Sequence, residues 1–179
     1  MCLLKWARER RRRRRERIYE SPSAEIDGGT RIRRDEDAPR EIGSTELVRF
    51  HTVFSTVSLM GEDGLPEGFF TLSAERIDGG VCYSASARGG ISLEIREETS
   101  SLSLLSELEA LIRRENVAAH NGSYYKVSGL GDFYGAEVNA EYASGEEIYC
   151  YNNQDPFLSI NFMHSLIRLF GIEREDSEE

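Results

Sequence analysis

The apolar residues of this chain change their period near residue 100, and that change constrains the fold more than any other feature. In "ISLEIREE" (91–98), Ile91, Leu93 and Ile95 alternate with Ser92, Glu94 and Arg96. A two-residue period places one apolar face on a strand. In "SSLSLLSELEALIRRENV" (100–117), Leu102, Leu105, Leu108, Ala110, Leu111 and Ile112 follow mostly three- and four-residue steps. That spacing predicts an amphipathic helix, with serines before it as caps and Arg113 and Arg114 at its C-terminal end.

The rest of the chain divides on the same signals. "TELVRFHTVFSTVSLM" (45–60) reads as a strand rich in Val, Phe and Thr. "FFTLSAERI" and "VCYSASAR" flank Asp78-Gly79-Gly80, a hairpin signal. "YGAEVNAEYASGEEIYCY" (134–151) reads as a second hairpin turning at Ala143-Ser144-Gly145. "FLSINFMHSLIRLFGI" (157–172) follows Pro156 and predicts a closing helix, with Phe157, Ile160, Met163, Leu166, Ile167 and Phe170 at helical spacing. The order β-β-β-β-α-β-β-α lacks regular βαβ alternation. It predicts an α+β fold: an antiparallel sheet of five to six strands with two helices packed on one face.

Charge divides the chain differently. Residues 1–40 hold 13 Lys and Arg against 8 Asp and Glu, about +5, and residues 41–179 hold 9 against 24, or −15. Residues 1–43 therefore read as a basic arm, mobile or a lone helix, with 21–43 as a solvated linker. Residues 44–172 read as one domain and 173–179 as an acidic tail. The arm is dominated by "RERRRRRRER" (8–17). Arg10, Arg11, Arg12, Arg13, Arg14 and Arg15 are candidates for holding an anionic partner, nucleic acid or lipid head groups, by point charge. No base-reading module accompanies them, so such binding is expected to be independent of sequence. Trp6 stands close enough to stack. The arm can equally fold back onto its own acidic body.

Three cysteines, Cys2, Cys82 and Cys150, make no disulfide framework and suit a cytoplasmic protein, with Cys82 and Cys150 as inert buried thiols. No apolar run reaches the ~18–20 residues of a membrane span. His51, His120 and His164 show no metal-ligand spacing, so neither a metal nor a cofactor is expected.

Residues 90–172 resemble a family of uncharacterised bacterial proteins frequent among Gram-positive gut anaerobes. The resemblance rests on "LLSELEALIRRENV" (104–117), "HNG" (120–122), "YASGEEI" (142–148), "NQDP" (153–156) and "LIRLF" (166–170). His120 departs from the aromatic residue expected in the loop. The resemblance implies the α+β fold and attaches no activity.

The loop "HNGSYYKVSGLGDFYG" (120–135) is the candidate contact surface of the body. His120, Asn121, Tyr124, Tyr125, Asp132 and Tyr134 offer polar and stacking groups to a ligand or partner. No catalytic motif is present. The leading expectation is a non-enzymatic binding or interaction module. The alternatives are a protein associated with nucleic acid or an anionic surface through its arm, and a hydrolase-like enzyme using residues 118–135, with Cys150 as nucleophile beside His120 or His164.

Overall fold

Strand alternation builds one sheet, and both helices pack on it. The computed structural model describes residues 25–27, 29–57, 65–89, 93–129 and 135–172. The Arg10–Arg15 tract, Trp6, Ile91, Asp132, Tyr134 and the 173–179 tail lie outside the described residues. The strands are β1 (Glu25–Asp27), β2 (Thr30–Arg34), β3 (Leu47–Ser55), β4 (Gly68–Ile77), β5 (Gly80–Gly89), β6 (Leu93–Thr99), β7 (Ser123–Val127), β8 (Ala136–Tyr142) and β9 (Glu147–Asn152). Helix α1 (Ser103–Arg114) is followed by a 3-10 turn, Val117–His120, and helix α2 (Ile160–Leu169) closes the fold.

The class is α+β, as the sequence predicts, but the sheet is larger than five to six strands. Among the described residues nine strands run in the order β1-β2-β7-β9-β8-β3-β4-β5-β6. The additional strands come from two segments read as irregular. Residues 25–34, assigned above to a solvated linker, form the β1–β2 hairpin, and β2 pairs with β7. The 118–135 segment is not one continuous loop, because Ser123–Val127 is β7. The sheet is antiparallel except where β7 meets β9 in parallel.

Register partners share a sheet face. Phe50, Thr52 and Phe54 of β3 oppose Ala74, Leu72 and Phe70 of β4, and Ala140, Val138 and Ala136 of β8. These residues face the helices. Leu104, Leu105, Leu108, Leu111 and Ile112 of α1 join them in one core with Phe162, Met163, Leu166 and Ile167 of α2. Full burial of such side chains stabilises by ~1.5–3 kcal/mol each before entropy is counted. A register shift in the β3–β8 pairing between Leu47 and Arg49 lets Leu47 reach the core despite its odd parity.

The helices begin later than their apolar spacing suggests. Leu102 is the N-cap of α1 and 42% exposed, so it drops out of the buried stripe. Helix α2 starts after Ser159, whose Oγ accepts from the Phe162 amide, leaving Phe157 ahead of the helix. Among the described residues no helix is long and apolar enough to cross a membrane.

The opposite face of the sheet is polar. Arg49 bridges Glu75 and Glu141 across three strands, and His51 Nδ1 lies 3.2 Å from Ser73 Oγ. At the outer edge, β6 exposes Glu94, Arg96, Glu97 and Glu98.

A polar latch closes the end of the sheet near the β8–β9 turn. Glu146 accepts from the amides of Gly43 and Ser44 at 2.9 and 3.0 Å, and from Ser144 Oγ. The Gly43 amide, then the Ser144 hydroxyl and the Ser44 amide, hold its carboxyl below the usual carboxylate range. Arg113 grips Glu109 through Nε and a terminal nitrogen and donates to the Ser44 carbonyl. Beside it, burial, followed by the Glu109 charge, pushes the Tyr142 phenol up to about 12.

Two outcomes follow. Phe162→Ala should lower urea stability by about 3–5 kcal/mol, since Phe162 is fully buried. A depressed folded-state pKa stabilises above the unfolded value and is lost as pH falls through the folded one. Glu146→Gln should therefore be less stable than wild type at neutral pH, and the difference should close at acid pH. Denaturant midpoints across pH check this; a gap that widens on acidification refutes it.

Candidate functional site

Strand β7 owes its place to hydrogen bonds at both its ends. Its parallel pairing with β9 has only two registered pairs, Tyr124 with Tyr151 and Tyr125 with Asn152. Before it, Asn121 is buried, and its side-chain nitrogen donates to the carbonyls of Pro39 and Glu147 at 2.9 and 2.8 Å. Its Oδ1 accepts from the Tyr149 amide at 2.8 Å. After β7, buried Asn153 accepts from the Val127 amide and donates to the Val127 carbonyl. Gly122 sits between Asn121 and β7 at φ +74°, and a Cβ there would lie 2.8 Å from the Asp35 carbonyl oxygen. Only glycine fits both the backbone conformation and that approach.

The sheet runs on past the helices at this end. Ile32 of β2 and Tyr125 of β7 are register partners on the helix side. Ile32 is 51% exposed. Next to them the His120 ring meets the Phe157 ring with centroids 5.2 Å apart. Ile32, Arg34, His120, Tyr125, Asn152 and Phe157 line a cleft of about 190 Å³. Arg34, Ser123 and Asn152 give it a polar side, while Ile32, Tyr125 and Phe157 give it an apolar one.

The other face of the same strands carries a second concavity, of about 510 Å³. Arg33, Asp35, Asp37, Tyr124, Glu147 and Tyr149 line it. Tyr124 stacks on its register partner Tyr151 with centroids 4.9 Å apart and an interplanar angle of 19°.

Of the residues singled out from sequence, His120, Tyr124 and Tyr125 all line the cleft, and Tyr124 also borders the second concavity. Asn121 lines the second concavity but commits its side chain to backbone groups. Asp132, Tyr134 and Arg10–Arg15 lie outside the described residues. Ile32, Phe157 and Arg33 were missed. The signal for Ile32 was present in "TRIRR", where a single apolar residue alternates with arginines.

Cys150 is 1% exposed, and burial pushes its thiol well above the ordinary thiol range, so a thiolate nucleophile is disfavoured at neutral pH. Among the described residues no group of three or more His, Cys, Asp or Glu is placed to hold a metal ion. Comparison with protein-family models, with curated proteins and with solved structures finds no match.

The asparagine pair makes a local prediction. Removing a buried, fully bonded amide costs about 1–3 kcal/mol. Asn121→Ala and Asn153→Ala should each speed amide exchange of Tyr124 to Val127 well before they affect β3–β5. Uniform acceleration across all strands would show that β7 is not separately held.

Proposed function

We propose that this chain is a non-enzymatic binding or interaction module that receives a protein partner on the helix side of β2 and β7. The observation that carries this reading is the exposure of Ile32, 51%, on a sheet otherwise roofed by helices. Ile32 adjoins Tyr125, Phe157 and His120, and a contiguous apolar patch of that kind with a polar rim is what marks an interaction site. A cleft of about 190 Å³ has the size of one large side chain. Aromatic walls and the Arg33–Arg34 rim suit an apolar anchor residue next to a carboxylate. The partner inferred is a peptide segment with that pairing.

The hydrolase-like alternative has less support, because Cys150 sits in the core and His120 packs on Phe157.

Selection of a random displayed-peptide library against the full chain tests the proposal. Enriched peptides should carry an aliphatic or aromatic anchor with a neighbouring acid. Ile32→Asp should weaken them at least tenfold while leaving the thermal midpoint within a few degrees. Peptides that bind the Ile32→Asp chain equally well, or ester hydrolysis that disappears with His120→Ala, would refute it.

A further inference from the structure

The polar face of β7, β9 and β8 has a composition suited to arginine. Register places Glu137 opposite Tyr151, Asn139 opposite Tyr149, and Glu141 opposite Glu147. With Tyr124 on β7, three tyrosines and three glutamates share the face turned away from the helices with Lys126, and Glu141 is already paired with Arg49. Asp35 and Asp37 extend the acidic character into the adjoining concavity. Guanidinium groups pair with carboxylates and stack on aromatic rings, so an arginine-rich segment fits such a surface better than a lysine-rich or apolar one.

Part of this face is screened from solvent. Tyr124 is 7% exposed, Tyr151 6% and Glu137 8%, although both helices pack on the other side. Charge narrows the choice of occupant among the remaining segments of the chain. Residues 58–64, 130–134 and 173–179 are each acidic, and 90–92 is a short uncharged piece between β5 and β6. Residues 1–24 carry 9 Lys and Arg against 3 Glu, and 8–17 alone hold eight arginines.

The reach is sufficient. Strand β1 lies three places from β9 in the sheet, about 14 Å at about 4.8 Å per strand. Residues 18–24, between the tract and β1, span up to about 23 Å when extended.

We propose that residues 8–17 dock on this tyrosine–glutamate face of their own chain. The arginines pair with Glu137 and Glu147 and stack on Tyr149 and Tyr151. Docking withholds the tract from anionic surfaces, and a polyanion binds the chain only by displacing it.

The test uses the full chain with a nitroxide at Ala7→Cys in a Cys2→Ser background, where the remaining thiols, Cys82 and Cys150, are both buried. Amide signals of Glu137–Glu141 and Tyr149–Tyr151 should broaden more than those of β5 and β6. The broadening should fall by at least half in Glu137→Gln/Glu147→Gln, in a chain with Arg10–Arg15 changed to Gln, and at about 1 M salt, where the screening length is about 3 Å. The arginine variant leaves the face intact, so it answers even if the glutamate variant misfolds. Broadening confined to the helix side, broadening that none of the three changes reduces, or broadening seen only between mixed labelled and unlabelled copies overturns the proposal.

Discussion

Two asparagines hold the sheet together at its weakest line. The β7–β9 pairing is parallel and only two residues long. So short a ladder supplies little by itself, since each backbone hydrogen bond is worth only ~0.5–1.5 kcal/mol net. Asn121 and Asn153 stand at its two ends and satisfy backbone groups that the ladder leaves over. Through them β7, and with it β2 and β1, is fixed to the hairpin of β8 and β9. Both concavities described here exist because that attachment holds.

A second constraint operates at the turn of the β8–β9 hairpin. There the backbone of Gly43 and Ser44 is held by a carboxylate from the turn and a guanidinium from α1. Sheet, helix and the strand leading into β3 meet through groups that each have several partners. A network of this kind specifies one arrangement of the layers, because a shift of any member leaves a polar atom unsatisfied.

What could be read from the sequence was local. Asp78-Gly79 closes the β4–β5 hairpin where the turn residues place it, with Ile77 opposite Gly80. The helical spacing of α1 and α2 identifies the roof of the core. Strand β7 was not legible, because its partners are β2, about ninety residues away, and a parallel neighbour that no turn announces; β2 did carry a turn signal, Asp27-Gly28-Gly29, the same as that of β4–β5. Ile32 stood among arginines and so read as linker. Asn121 read as a contact residue because its own partners are backbone atoms of distant segments, which sequence does not name. His120 and Tyr125 were found, but the surface they complete depends on Ile32 and Phe157, which arrive from opposite ends of the chain.

The two margins of the sheet are unlike. β6 ends the sheet with a row of outward charges, Glu94, Arg96, Glu97 and Glu98, which would be desolvated by any strand added to it. Edge-to-edge pairing at this border would strip water from those charges with nothing to replace it, so β6 closes the sheet on its side.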